Sequence, residues 1–232
     1  MDWQPLPKPA EVAESRLLEA ILSGRFLPNS TLPGERELAE QIGVTRPTLR
    51  EALQRLARDG WLDIQHGKPT RVRDYWHEGG LGVLAVLAQF PQAQPPDFVA
   101  HLLEVRLLLA PAYTRQAVES AAAEIAAHLS NYAALPEEAA AFSRADWDLH
   151  ILLTQKAENP IFRFLFNGFH RLALLMGEQY FQYPACRAHS RRFYADLLAC
   201  ARSQAAFDAE TLTRRVMEES LALWQELQKE AA

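Results

Sequence analysis

Residues 35–73 read ERELAEQIGVTRPTLREALQRLARDGWLDIQHGKPTRVR, and the order of periods in that stretch decides the fold. Leu38, Ala39 and Ile42 recur at helical spacing until Gly43 breaks the run. Thr45 then serves as an N-cap, with Pro47 in the first turn, where its missing amide would lack a partner anyway. Leu49, Ala52, Leu53, Leu56 and Ala57 continue as an i, i+3, i+4, i+7, i+8 stripe that stops at Asp59-Gly60. There the period drops to two. Residues 61–65 alternate, His66-Gly67-Lys68-Pro69 turns, and residues 70–73 alternate again, which predicts a two-stranded hairpin with a basic tip. Upstream, Val12, Leu18, Ile21 and Leu22 predict a short amphipathic helix ended by the turn-rich residues 25–29. Helix, helix, three-residue turn, helix and hairpin is the layout of a winged helix-turn-helix domain over residues 1–74. Its helix-turn-helix segment is expected to run from Glu35 to Gln54.

Downstream the reading is helical to the end. Residues 75–80, YWHEGG, form the expected linker, and residues 81–232 an all-α antiparallel bundle. Helices are expected near 80–89, 96–118, 120–133, 137–156, 160–182, 185–203 and 207–230. Their separators are Pro91, Pro95-Pro96, Pro136, Asn159-Pro160, Pro184 and the polar stretch at Ser203. No internal repeat is visible, so the expected fold is mainly α with a small β-hairpin wing.

Composition narrows the class. The 232 residues are 49% hydrophobic and 23% charged, the balance of a globular protein. The longest uncharged run, residues 79–96, has a continuous apolar and small core only over 81–88, too short to span a bilayer. The N-terminus lacks the basic-then-apolar order of a signal peptide, and Cys186 and Cys200 have no metal-type spacing. These features point to a cytoplasmic protein with reduced thiols. The net charge of −5 is distributed unevenly: residues 1–75 carry 11 basic and 11 acidic groups, so the acidic surplus lies wholly downstream. Residues 46–73 hold 7 basic groups against 3 acidic ones. Affinity for DNA follows the charges that face phosphate, not the sum over the protein.

The helix from Thr45 to Asp59 turns its apolar stripe inward and leaves Thr45, Arg46, Thr48 and Arg50 on its first turns. A recognition helix meets base edges with its N-terminal residues, and arginine grips guanine O6 and N7 with two hydrogen bonds. Arg36, at the start of the preceding helix, is placed to reach the phosphate backbone, and the small cationic tip His66-Gly67-Lys68 suits a minor groove. The plainer reading makes the arginines a solvated face paired with Glu51 and Asp59. We apply that reading to Arg55 and Arg58, and the DNA-reading role to Arg46 and Arg50.

These motifs carry a resemblance. Pro33-Gly34-Glu35-Arg36-Glu37-Leu38-Ala39, Val44-Thr45-Arg46 and Leu49-Arg50-Glu51-Ala52-Leu53, with Leu56, Gly60 and Leu62, resemble the GntR superfamily of bacterial regulators. The strings at 42–46, 53–62 and 64–70 resemble its FadR subgroup. The likeness is dense over residues 11–76 and continues more thinly to Lys229, through Asp146, Asn159-Pro160-Ile161, Tyr180-Phe181, Phe193-Tyr194, Arg214-Arg215, Glu219-Ser220 and Trp224. It implies a homodimer on a pseudo-palindromic operator, with Arg36, Thr45, Arg46, Thr48, Arg50, His66, Gly67 and Lys68 as the DNA contacts. Pro47 departs from a threonine of the subgroup, so one contact is lost.

For the bundle the resemblance implies a sensor of long-chain acyl-CoA whose ligand releases the operator, repressing fatty-acid degradation genes and activating unsaturated fatty-acid synthesis genes when free. Ser220, Trp224 and Lys229 match positions that the subgroup associates with the CoA thioester. Ser220 and Trp224 are four apart and share a face, and Lys229 can meet a CoA phosphate as a point charge. Met217 departs from a glycine there and is expected to narrow the entrance. Arg106, inside LLEVRLLL at 102–109, either pairs with an internal carboxylate or anchors a polar ligand group. The run Phe162, Phe164, Leu165, Phe166, Phe169, Leu172, Leu174 and Leu175 is either an acyl tunnel wall or plain core.

A second reading keeps the DNA domain and gives the bundle a metal-dependent sensor for a small carboxylate. Related regulators of the superfamily hold a metal with one Asp and three His, and Asp146 and His150 match the first Asp-x-x-x-His pair. The other two positions fall on Tyr194 and Glu218, so a buried acid–histidine pair without metal is preferred. For an enzyme, Asp146, His150, Cys186 and His189 supply acid–base types, but no nucleophile elbow, phosphate loop or paired-carboxylate signature accompanies them. We therefore expect neither catalysis nor a cofactor beyond the acyl-CoA ligand.

Overall fold

The computed structural model describes residues 7–95 and 97–231. The start of the helix expected at Pro96 and the domain ends at residues 1–6 and 232 lie outside them. The chain divides into two compact units, residues 1–93 and 94–232.

In the first unit α1 (Pro9–Leu22), α2 (Glu35–Ile42) and α3 (Arg46–Arg58) bury most of the stripes read from the sequence, while Val12, Leu22 and Ala57 are half-buried. Leu17, Leu18 and Ile21 of α1 and Leu38, Ala39 and Ile42 of α2 meet Leu49, Ala52, Leu53 and Leu56 of α3. Gly43 adopts φ +77°, the left-handed cap that lets the chain leave α2. The Arg16 guanidinium donates to the Ile42 carbonyl at 2.5 Å, satisfying a helix end that has no internal partner. α2 begins at Glu35, and the helix read from Thr45 to Asp59 forms as α3, inside which the expected helix-turn-helix segment ends at Gln54. Gln54 is an exposed residue inside α3, and the helix runs one turn further to Arg58. That turn is kept because Leu56 still has core to cover, and the chain breaks only at Gly60, whose φ is +93°. The hairpin forms with β1 (Leu62–Asp63) antiparallel to β2 (Arg71–Val72), Leu62 opposite Val72.

The hairpin has a neighbour that the periodicity did not indicate. The segment before α2 runs alongside β2: Asn29 donates to the Val72 carbonyl, Val72 to that of Ser30, and Leu32 to that of Thr70. Residues 29–32 hold a single large apolar side chain, Leu32, so alternation is absent there. The expected linker is also ordered. Residues 75–78 form α4 (Tyr75–Glu78), and α5 (Leu81–Leu87) follows; both fall in the first unit rather than in the bundle. As compact units the two parts of the chain meet at residues 93–94. The Tyr75 ring lies 4.9 Å from that of the buried Trp61, and Val83 sits over Gly60, so these helices complete the first core.

The second unit comprises α6 (Phe98–Ser130), α7 (Ala139–Lys156), α8 (Pro160–Phe181), α9 (Pro184–Arg202) and α10 (Ala206–Ala231). Two expected helices merge as α6, which breaks its helical geometry at Ala121 (φ −145°, ψ 34°). α6 packs on α7, α9 and α10, and α7 packs on α8. Gly177 permits a close α7–α8 approach: a Cβ there would lie 2.5 Å from Ser143 Oγ, which donates to the Leu174 carbonyl at 2.9 Å. Among the described residues no helix is long and apolar enough to cross a membrane.

Candidate functional site

The first candidate surface is the start of α3. Thr45 caps the helix in extended backbone conformation, its hydroxyl accepting from the Thr48 amide at 3.4 Å and lying 2.8 Å from the Thr48 hydroxyl. Arg46 and Arg50 project from the next positions with side chains 57% and 60% exposed. Both turn toward Glu35 at the start of α2, whose carboxylate lies 2.7 Å from Arg50 Nε and 3.8 Å from Arg46 Nη2. Arg55 instead pairs with Glu51 at 2.6 Å and Glu14 at 3.6 Å, and Arg58 approaches Asp59 at 3.5 Å. The arginines thus form two sets, one paired along the later turns of α3 and one gathered on Glu35. Sequence spacing did not pick out Glu35 as that partner. Its signal was available: an acid at a helix N-terminus beside Arg36, itself exposed.

The wing tip is exposed at His66, Gly67 and Lys68. Gly67 takes φ +75° with open space where a Cβ would stand, and Lys68 is tied back to Gln65 by an amide–carbonyl bond of 3.1 Å and an Nζ–Oε1 bond of 2.8 Å. The turn itself, residues 65–69, contains no acidic side chain, so it presents a cationic fingertip.

The second candidate is a cavity of about 130 Å³ between α6, α7 and α8. Leu102, Leu103, Phe166, Phe169 and Leu172 supply apolar walls, so part of the α8 run lines a cavity, while Phe164 is 70% exposed. One corner is polar. Arg106 Nη2 donates to Asp146 Oδ1 at 3.0 Å, lies 2.8 Å from Oδ2 in an ion pair, and touches His150 Nε2. His150 Nδ1 lies 2.6 Å from the Tyr113 hydroxyl, and the Tyr194 hydroxyl donates to Asp146 at 3.0 Å. Burial, then the Arg106 charge, push His150 down to about 3 against the opposing pull of Asp146, so the imidazole is neutral. Burial alone would raise Asp146, but the Arg106 charge and the hydrogen bonds from Arg106 and Tyr194 hold it below the ordinary carboxylate range. Burial, then Asp146, raises Tyr194 well above the usual phenol value.

This cluster joins residues that the sequence reading kept apart. Arg106 pairs with an internal carboxylate, and that carboxylate belongs to the Asp146–His150 pair. The guanidinium already lies against both groups that would begin a metal site, so a second cation there meets repulsion. Tyr194 is a hydrogen-bond donor to the pair, and Glu218 lies exposed on α10. Tyr113 was missed, although it stands seven residues from Arg106 on an apolar helix, a spacing that puts both on one face.

Ser220 and Trp224 are buried on α10, 5% and 7% exposed, and do not line the cavity. Tyr180 connects the two regions: it lines the cavity and its ring lies 6.0 Å from that of Trp224. Lys229 is exposed further along α10, and Met217 is packed in the interior at 3% exposure. Arg106 and the α10 residues thus occupy separate places in the unit.

Comparison with known proteins bears on both units. Residues 9–72 match the family described as "Bacterial regulatory proteins, gntR family", and residues 73–232 the family described as "FadR C-terminal domain". The chain is similar to the "Fatty acid metabolism regulator protein" of Pasteurella multocida, 37% identical over 97% of this chain and 95% of that one. Relatives of the same name from Pectobacterium atrosepticum and Shewanella pealeana are each 40% identical, covering 95% and 94% of this chain and 92% of theirs. A solved structure described as "Lar controls the expression of the Listeria monocytogenes agr system and mediates virulence" aligns with TM-score 0.64 at 18% identity, over 94% of this chain and 97% of that one, a likeness of fold.

Proposed function

This chain belongs to the gntR family of bacterial regulatory proteins, with a FadR C-terminal domain, and from that premise we propose that it is a transcription regulator of fatty-acid metabolism released from DNA by long-chain acyl-CoA. Two copies bind a pseudo-palindromic operator, each placing the first turns of α3 in the major groove and its wing tip in the adjacent minor groove. Arg46 and Arg50 read guanine edges; Arg36, Thr45, Thr48 and Lys68 hold phosphate; His66 and Gly67 enter the minor groove. Free protein represses degradation genes and activates unsaturated fatty-acid synthesis genes. The acyl chain enters the α6–α7–α8 cavity, and CoA extends past Ser220 and Trp224 toward Lys229. The protein works in the cytoplasm as a binding device and needs no turnover.

The ligand must favour the released geometry by differential affinity, because equal affinity for both states shifts nothing. A hundredfold loss of operator affinity requires about 2.7 kcal/mol of such preference.

The observation that supports this reading most directly is the pair Arg46 and Arg50, exposed at the capped start of α3 beside a basic wing. Fluorescence anisotropy with a duplex selected by the protein from random sequence tests it. Replacing both arginines by alanine is expected to cost about 1–3 kcal/mol per guanine contact and to flatten the dependence on salt. Unchanged affinity and salt slope would exclude α3 as the reading helix.

A further inference from the structure

The polar corner of the cavity has more hydrogen-bond donors than acceptors, and the surplus can be traced proton by proton. A guanidinium only donates, so the Arg106 nitrogen that touches His150 requires a lone pair on Nε2. A neutral imidazole with a free Nε2 carries its single proton on Nδ1. That N–H faces the Tyr113 hydroxyl at 2.6 Å, so the phenol oxygen is the acceptor. The phenol's own proton is then left over. Tyr113 is completely buried, edge-on to the rings of Phe162, Phe166 and His150. Among the described residues its hydroxyl has no hydrogen-bond partner besides His150. Arg106 Nε, also buried, has no acceptor among them either. A buried donor without an acceptor costs stability.

One acceptor supplied from the cavity removes the conflict. Arg106 and His150 both line the cavity, so an oxygen lodged there can take the guanidinium donor that now points at Nε2. The imidazole proton can then reside on Nε2, facing Asp146, whose Oδ1 is 3.8 Å away. Nδ1 becomes the acceptor for the Tyr113 O–H. Because 3.8 Å is beyond hydrogen-bond reach, the lodged oxygen must accept from Nε2–H as well as from Arg106; Tyr113 and His150 then each have a partner, with one proton on the imidazole before and after.

We propose that the cavity of the helical unit selects a ligand whose apolar chain brings an acceptor oxygen, carbonyl or hydroxyl, to Arg106, and that His150 and Tyr113 read that oxygen by exchanging the imidazole tautomer. The inference rests on the acyl-ligand reading above and adds the chemistry that the cavity demands of the chain. Either the thioester carbonyl or an oxygen farther along the chain can supply the acceptor.

The test compares binding of oleoyl-CoA, its thioether analogue without the carbonyl, and ricinoleoyl-CoA, which adds a chain hydroxyl, to the full-length protein by calorimetry. Nitrogen-15 NMR reads the His150 tautomer, assigned by the H150F variant. Oleoyl-CoA at least tenfold tighter than the thioether, with the proton moving from Nδ1 to Nε2, assigns the oxygen to the head carbonyl. Ricinoleoyl-CoA at least tenfold tighter than oleoyl-CoA, with the same tautomer change, assigns it to the chain. Equal affinities for all three, or an unchanged tautomer in the bound protein, overturn the inference and leave acyl-CoA sensing intact. Binding of none of the three overturns the acyl-ligand reading itself and this inference with it. In the H150F/Y113F double variant, shown to be folded by circular dichroism, the discrimination is expected to fall several-fold; full discrimination in that variant also overturns it.

Discussion

Glu35 shows how one half-buried carboxylate sets the state of the proposed reading surface. Its oxygen stands 2.7 Å from Arg50 and 3.8 Å from Arg46, so both guanidinium groups are engaged before any DNA arrives. An exposed pair of this kind contributes roughly 0–1 kcal/mol. E35Q is therefore expected to raise affinity for a scrambled duplex by up to about fivefold and to narrow the preference for operator, measured by anisotropy on both duplexes. His150 makes a second prediction at this scale. Its folded value, about 3, lies below the 6.5 of an unperturbed histidine, so the unfolded chain binds a proton that the folded chain refuses. The stability that follows is fully present above pH 6.5 and is lost as pH falls from 6.5 toward 3. His128 is shifted in the same direction, chiefly by burial. Asp146, held low by Arg106 despite its burial, contributes stability that is present above the ordinary carboxylate value and is lost only as pH falls below it. Denaturant unfolding at pH 6.5 and pH 4.5 is expected to show a smaller loss in H150F than in the parent, with a residual slope from His128.

At the scale of elements, cap and turn chemistry fix the surface proposed to meet DNA. T45A removes the hydroxyl that accepts from Thr48 and is expected to cost about 1 kcal/mol of stability, read by denaturant unfolding, as well as a contact at the helix start. Gly67 holds φ +75° in open space, so G67V creates no clash but strains the backbone by about 1–2 kcal/mol. Its predicted signature is weakened operator binding, by anisotropy, with α1–α3 packing unaltered. These elements were legible because each carries its own local signal: Gly43 and Thr45 around the turn, the stripe from Leu49 to Leu56, and the alternation on either side of residues 66–69. The pairing of residues 29–32 with β2 was not legible, since it is set by backbone hydrogen bonds at long sequence separation and carries no alternating pattern. The same holds for the site. Asp146 and His150 announce themselves by i, i+4 spacing, whereas their engagement by Arg106, Tyr113 and Tyr194 depends on the packing of α6, α7 and α9, which no local pattern encodes.

Considered as a whole molecule, the chain joins a unit of residues 1–93, the proposed DNA reader, to a helical unit of 94–232 with an apolar cavity and a buried polar corner. In the proposed function, operator and acyl-CoA are ligands of one protein that favour different states. Thermodynamic linkage then ties the two bindings together: the factor by which one ligand weakens the other must be the same in both directions. The decisive measurement is that pair of factors, obtained from operator affinity with and without saturating oleoyl-CoA and from oleoyl-CoA affinity with and without saturating operator. Two equal weakenings, on the order of tenfold or more, are expected. Operator affinity that stays the same when the cavity is filled would contradict the proposed coupling.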